Sequence, residues 1–262
     1  MEDLHRLQGV QMGLTCVVHA GGKGERLHPF TLYTPKPLIE IGLNKKPLIY
    51  WSMLPAIKFG IKKFVITTNY MSEKIEENFK KDEWKSFEII IYREKDKLGS
   101  AGATKKCIEE GIIDKKDVIL MQNASDITRN FVPDLLKHHG RYEKKGFEVT
   151  VVVAERCVIS SSKVEYDKKS KTVISFKRRP EHVWKYGEGS HVGMFVFSAK
   201  SLEKFQNIKI PSNPEDSIVQ DLINEKKANI YVTDTWIPIK HNSDVTYANE
   251  IDLEKFILGE HG

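Results

Sequence analysis

The chain predicts an α/β fold with a mostly parallel sheet and helices on both faces. Three observations carry this. Short apolar, β-branched runs alternate with helical patterns through the first half. After about residue 145 the alternation gives way to successive strands with few helices between them. No Gly/Ser/Pro-rich linker, internal repeat or low-complexity segment interrupts the 262 residues, a length that suits one large domain.

Taken in order, residues 1–12 read as a polar N-terminal extension, since the first strand signal begins near Leu14. The runs TCVVHA (15–20), KKFVITT (62–68), FEIIIYR (87–93) and DVILMQ (117–122) read as buried strands. Between them, 46–60, 72–81 and 99–111 carry helical patterns. Pro47 suits a first helical turn and Ser72 an N-cap, with Ile75 and Phe79 on one face; Pro55 should kink or end its helix. A further helix should end at His138 and His139, where a cation complements the dipole. In the second half, 147–155, 163–167, 171–177 and 191–198 read as strands, with YDKKSKTV turning the second into the third as a hairpin. Helical patterns return at 201–205, 215–225 and 243–258. Residues 13–262 therefore read as a single domain in two halves, 13–145 and 146–262.

Composition narrows the function. Hydrophobic residues are 40% and charged residues 29%, as in soluble globular proteins. No run of eighteen apolar residues and no apolar leader occurs, so the expectation is a cytoplasmic protein with no membrane partner. Cys16, Cys107 and Cys157 are too scattered for a disulfide framework or a zinc site and read as reduced thiols. A net charge of +5 suits an anionic small substrate and is too weak to indicate nucleic acid. Trp84, Trp184 and Trp236 form no aromatic-basic pattern for single strands.

The stretch AGGKGERLHPFTLYTPKPL (20–38) follows the first strand. A glycine-rich turn there is either a tight structural turn or a loop that brings backbone N–H groups up to a phosphate. Leu27 stands where a dinucleotide fingerprint needs Gly, and no Gly-Lys-Ser/Thr follows, so two familiar phosphate loops are excluded. Arg26 lies two residues after Gly24, and Lys36 is pinned between Pro35 and Pro37. Two cations converging on glycines favour a polyphosphate. His19, inside the strand, reads as a satisfied core histidine.

These residues resemble the signature of the sugar-1-phosphate nucleotidyltransferases: Gly-Gly-x-Gly-x-Arg-Leu, then Pro, then Thr, then Pro-Lys-Pro. LGSAGAT (98–104), NASDI (123–127), HVGMFVF (191–197) and WIPIKHNSDVTYAN (236–249) resemble later segments of the same family. The resemblance implies a Rossmann-like, nucleotide-diphospho-sugar transferase type of fold, with a nucleotide-binding half and a smaller β-rich sugar-side lobe. It also implies that a sugar 1-phosphate attacks the α-phosphate of a nucleoside triphosphate (NTP) and pyrophosphate leaves.

On this likeness Ala20, Gly21, Gly22, Gly24 and Arg26 would bind the triphosphate. Gly99, Ser100, Ala101 and Gly102 would contact the nucleoside. Lys36, Arg179 and Gly193 would meet the sugar phosphate. Arg26, Lys36 and Asp126 would be catalytic, with Asp126 holding Mg²⁺. LGSAGA is closer to mannose-1-phosphate guanylyltransferases than to thymidylyltransferases, which points to GTP and mannose 1-phosphate. The family often forms homo-oligomers.

Two departures stand out. Pro238 occupies the place of a second metal Asp, and Arg178-Arg179-Pro180 replaces Glu-Lys-Pro. They motivate an alternative, a non-catalytic or weakly active regulatory homologue that binds nucleotide or NDP-sugar. A glycosyltransferase would normally carry Asp-x-Asp; SDI followed by Thr128 lacks it.

Overall fold

The computed structural model describes residues 13–155, 162–177 and 188–259. Strands β1 (Leu14–His19), β2 (Lys63–Thr68), β3 (Glu88–Arg93) and β4 (Val118–Asn123) form where the apolar runs predict them. They lie in the order β3-β2-β1-β4, and each neighbouring pair is parallel. Between them come α1 (Leu48–Phe59), α2 (Ser72–Phe79) and α3 (Gly99–Glu109). A short strand β5 (Asp126–Thr128) and helix α4 (Val132–Glu143) complete the first half.

In the second half, β6 (Val149–Ala154), the hairpin β7 (Lys163–Tyr166) and β8 (Val173–Lys177), and the long β9 (Glu188–Phe197) extend the sheet. Helix α5 (Ile218–Asn224), β10 (Ala228–Thr233), β11 (Trp236–Pro238), α6 (Asn242–Asn249) and α7 (Leu253–Leu258) follow. The nine-stranded sheet is mixed. Strand β9 runs antiparallel between β4 and β6, and β10 pairs parallel with β6. Seven strands, β1–β4, β6, β7 and β10, therefore share one direction, β8 and β9 oppose them, and the hairpin hangs on the start of β9.

Alternation along β1 sets the layers. Val17 points into a core with α3 and α5, whereas Cys16 and Val18 point into another with α1, α2 and α4. A third cluster joins Leu27, Ile127, Ile237 and Ile239 to α1, α6 and α7. Cys16 and Cys107 are free and buried, as expected of reduced thiols; Cys157 lies outside the described residues.

Several expectations are corrected. Helix α1 runs four residues past Pro55, which fills a buried position in the third turn, and it ends instead at Gly60 with φ 101°. The N-cap of α2 is Met71; the Ser72 hydroxyl donates back to the Asn69 carbonyl. Strand β3 is an edge, so its residues are only half-buried. Residues 199–207 form a 3₁₀ helix, and 243–258 split into α6 and α7 where Asp252 caps the second. His138 and His139 sit inside α4 and end nothing. His138 stacks on Tyr142, and His139 is buried against the Thr150 hydroxyl. Burial pushes both imidazoles down, His139 to about 4, so neither is a cation on the helix dipole.

Candidate active site

The carboxyl ends of β1, β2 and β4 open into a cleft of about 390 Å³ lined by the glycine loop, Arg26, Lys36, Asn69, Glu94, Gly99, Ser100, Asn123 and Asn213 among others. This is where an open parallel sheet places a ligand. The Ala20 N–H still bonds to the Thr67 carbonyl. Beyond it, no backbone carbonyl among the described residues takes the N–H of Gly21, Gly22, Lys23 or Gly24. Four successive free donors leave the loop suited to an anion.

Gly24 holds a left-handed backbone (φ 69°), and a Cβ there would press within 3.0 Å of Lys36 Cβ and Thr31 Cγ2. The glycine thus lets the loop close on the Pro-Lys-Pro turn. Lys36 opens a 3₁₀ turn after extended Pro35, as the flanking prolines predict. Burial pushes its ammonium down to about 8; Asp126 and Asp244 oppose that shift, and Arg26 and Lys240 reinforce it. The Arg26 guanidinium is exposed and unpaired among the described residues.

Asp126 starts β5 and is 9% exposed. Trp236 Nε1 donates to its Oδ1 at 2.9 Å, and Asn123 Nδ2 donates to its Oδ2 at 3.1 Å. Gly193 (φ 83°) approaches this pair so closely that a Cβ would lie 2.7 Å from Asp126 Oδ2. Gly193 therefore stands behind the Asp126 carboxylate. The third core fixes these positions by alternation. Leu27, Ile127, Ile237 and Ile239 are buried in it, and strand alternation turns Asp126 and Pro238, the neighbours of Ile127 and Ile237, away from it.

The Leu98–Gly102 segment is brought only partly into the cleft. Gly99 and Ser100 line it, and the Ser100 N–H and hydroxyl both face Asn213 Oδ1. The N–H groups of Ala101 and Gly102 instead donate to the Ser212 carbonyl. A Cβ on Gly102 would meet Ile210 at 2.8 Å, and one on Gly99 would lie 2.9 Å from the Ser212 amide nitrogen. Small side chains here admit the 210–212 segment, a correction to direct nucleoside contact by Ala101 and Gly102. Arg179, like Arg178, lies outside the described residues.

Sequence reasoning missed Glu94, Asn69 and Asn213. Glu94 accepts the Leu98 N–H and lies beside Gly21; burial raises its carboxyl. The residue directly after a predicted parallel strand is a usable signal for Glu94, whereas nothing local marks Asn213. His19 is also corrected. Its Nδ1 meets Thr67 Oγ1 at 2.9 Å, but Nε2 is buried with no partner among the described residues, on the wall of the cleft. Burial pushes the imidazole down to about 4, so it is neutral.

A larger groove of about 730 Å³ runs between residues 30–40 and α2. Its cations are engaged, Lys74 with the Tyr33 carbonyl, Lys80 with Glu77 and Lys81 with Asn78. It lacks the free N–H groups of the glycine loop. No trio of His, Cys, Asp or Glu forms a metal site among the described residues. Asp126, with one hydrogen bond on each oxygen, fits a magnesium ion held by a single carboxylate and otherwise by phosphate oxygens and water.

Sheet, loop and cleft together define an α/β protein built to receive a phosphorylated ligand at the carboxyl edge of its parallel strands. The sequence pattern described as "Nucleotidyl transferase" matches residues 15–239, and the chain belongs to that family. A mannose-1-phosphate guanylyltransferase catalytic subunit beta of Danio rerio is 29% identical over 194 residues, 74% of this chain and 52% of that protein. The chain thus spans about half the length of the curated relatives it matches.

Two solved structures share the fold. One is a Bacillus anthracis protein described as a glucose-1-phosphate thymidylyltransferase, in complex with a sucrose. Its TM-score is 0.78 at 16% identity, covering 92% of this chain and 96% of that one. The other is HddC from Yersinia pseudotuberculosis complexed with GMP-PN, with a TM-score of 0.69 at 19% identity, covering 90% and 98%. No helix among the described residues is long and apolar enough to cross a membrane.

Proposed function

We propose that the chain transfers a nucleoside monophosphate from an NTP to a sugar 1-phosphate and releases pyrophosphate, with GTP and mannose 1-phosphate as the substrates. One observation carries the reading: the glycine loop with its free N–H groups and Lys36 line one cleft with Asn123, whose side-chain amide donates to the Asp126 carboxylate just behind it. Family membership and the guanylyltransferase relatives support it.

The reaction needs charge neutralisation and in-line placement more than acid-base chemistry. The Gly21–Gly24 amides cradle the triphosphate, and exposed Arg26 neutralises the departing pyrophosphate. Lys36, drawn towards Asp126, grips the reacting phosphates. Trp236 and Asn123 hold the Asp126 carboxylate in one orientation. A magnesium ion bound there would add positive charge on the phosphate oxygens. His19, Asn69, Glu94, Ser100 and Asn213 form the nucleoside end of the cleft. Arg179 remains assigned to the sugar phosphate, and the cytoplasm remains the proposed location.

A panel assay tests this. Purified protein, Mg²⁺, each NTP and several sugar 1-phosphates are incubated, and pyrophosphate is measured. Release is expected, fastest with GTP and mannose 1-phosphate; no release with any pair sinks the enzymatic reading. Pro238 favours a second reading, binding without turnover, because β11 sets it directly across from Asp126. Calorimetry showing tight nucleotide binding in a protein that releases no pyrophosphate would select that reading.

A further inference from the structure

Strands β1, β2 and β4 end side by side, and His19 pairs in register with Thr67 on one side and Asn123 on the other. Residues in register on neighbouring strands present their side chains on the same face of a sheet. That face is the one on which Val17 packs with Ala101 and Cys107 of α3. Two residues beyond Val17 the apolar core gives way to a polar row of Thr67, His19 and Asn123. All three line the cleft, together with Gly99 and Ser100 at the start of α3.

The hydrogen bonds of this row leave one donor over. Thr67 is buried, and its hydroxyl meets His19 Nδ1 at 2.9 Å and no other partner among the described residues. The hydroxyl hydrogen therefore goes to Nδ1, since the opposite arrangement would strand both that hydrogen and the Nε2 lone pair. Burial keeps the imidazole neutral. A neutral ring that accepts at Nδ1 carries its one proton on Nε2. Nε2 is buried and has no partner among the described residues. Asn123 turns its amide nitrogen to Asp126, Glu94 gives Oε2 to the Leu98 N–H, and neither takes the Nε2 proton. Lys97, the other charged group at this end of the cleft, has no acceptor to offer. An apolar residue at the end of β1 would avoid the cost of an unmet buried N–H, so the donor has a use only when a ligand accepts from it.

We infer that His19 is a nucleotide-binding residue whose Nε2–H donates to an oxygen of the bound nucleoside, a ribose hydroxyl or a base carbonyl. Position decides against the phosphates. His19 lies on the sheet face that α3 covers, where Ser100 and Asn213 also line the cleft, whereas the glycine loop closes on Lys36. The bond orients the nucleoside and so aims the α-phosphate attached to it, with no charge on the imidazole and no proton transfer. This assignment rests on the function proposed above for the identity of the ligand, and its test reads binding rather than turnover.

Calorimetry with GTP, UTP, 2′-deoxyGTP, 3′-deoxyGTP and inorganic pyrophosphate is run without a sugar phosphate on the wild type, His19→Leu and His19→Gln. Leucine removes the donor, and glutamine returns an N–H close to the place of Nε2. His19→Leu is expected to weaken GTP binding about five- to tenfold and pyrophosphate binding less than about twofold, and His19→Gln to stay within about threefold of wild type. If a ribose hydroxyl is the acceptor, one deoxy analogue binds weakly to the wild type and is indifferent to His19→Leu. If a base carbonyl is the acceptor, both deoxy analogues lose as much as GTP does; either pattern supports the assignment. Unchanged GTP binding in His19→Leu, an equal loss for pyrophosphate, or a loss that His19→Gln does not restore overturns it, as does a wild type that binds neither GTP nor UTP. Nitrogen-15 spectra of the histidine-labelled wild type need no variant to fold. The His19 ring, assigned by its contact with Thr67, should carry its proton on Nε2, and that nitrogen should shift when GTP is added. A proton on Nδ1, or a signal that GTP leaves in place, also overturns the assignment. If the wild type binds GTP but releases no pyrophosphate with any sugar phosphate, the enzymatic reading fails while the His19 result still stands or falls by itself.

Discussion

Gly193→Ala places a methyl group against the Asn123–Asp126 pair. The backbone there is left-handed at φ 83°, and the new Cβ would lie 2.7 Å from Asp126 Oδ2 and closer still to Asn123 Nδ2. An L-residue in that conformation costs about 1–2 kcal/mol. Forcing the amide off the carboxylate forfeits a charge-assisted bond of about 1.5–3 kcal/mol. The sum, roughly 2.5–5 kcal/mol, corresponds to a fall in Tm of about 5–20 °C for a domain of this size. Activity should fall as well, by about a hundredfold if the carboxylate moves 1 Å. Thermal unfolding and pyrophosphate release measure the two effects. Gly22→Ala is the control, because a Cβ there meets nothing within 4 Å; its Tm should stay within about 1 °C of wild type. A Gly193→Ala protein with wild-type Tm and wild-type kcat/KM would refute the claim that Gly193 seats the carboxylate.

Other outcomes follow from the same geometry. His139 and His191 are buried and pushed down to about 4 and about 3. The unfolded imidazoles take up protons near pH 6.5 that the folded ones refuse, so stability falls as pH drops from about 6.5 towards 4 and then 3. Each imidazole costs about 2 kcal/mol by pH 5, which urea titrations at pH 7 and pH 5 read directly; a flat midpoint rules this out. Lys36, held at about 8 in the free protein, should lose its charge above that pH. GTP affinity measured by calorimetry should then weaken from pH 8 to 9, and Lys36→Arg should flatten the decline. Gly99→Ala should detach Ser212 and with it Asn213, destabilising the fold by about 2–3 kcal/mol and weakening nucleotide binding. Stability and affinity both unchanged would mean that the 210–212 segment does not need Gly99.

Much of the architecture was legible because β1, β2 and β4 are continuous apolar runs buried on both faces, a pattern that no surface element reproduces. Strand β10 escaped notice because polar Asn229 and Tyr231 interrupt its apolar pattern; its pairing with β6 supplies what its composition lacks. Strands β5 and β11 span three residues each, too short for periodicity, and exist because Ile127 and Ile237 enter the third core. Pro55 does not end its helix, because packing of α1 outweighs the cost that a proline carries in an isolated helix.

In the site, the glycine loop and Lys36 line one cleft, as their closeness in sequence suggested. The partners of Asp126 were not legible, because Trp236 is 110 residues away and arrives only through the β5–β11 pairing. The glycines at 99 and 102 were read as room for a nucleoside, yet the structure fills that room with Ser212 and Ile210. Glycine reports that something approaches closely, and sequence does not say what.

On the proposed function, the triphosphate loop and Asp126 act together in nucleotidyl transfer. Phosphorus-31 spectra of the protein incubated with Mg²⁺, GTP and mannose 1-phosphate, run beside Asp126→Ala, test it most directly. The wild type should show pyrophosphate and a new diphosphate ester growing in equal amounts, and Asp126→Ala should show neither on the same time scale. A wild type without product, or an Asp126→Ala protein as fast as wild type, would contradict it.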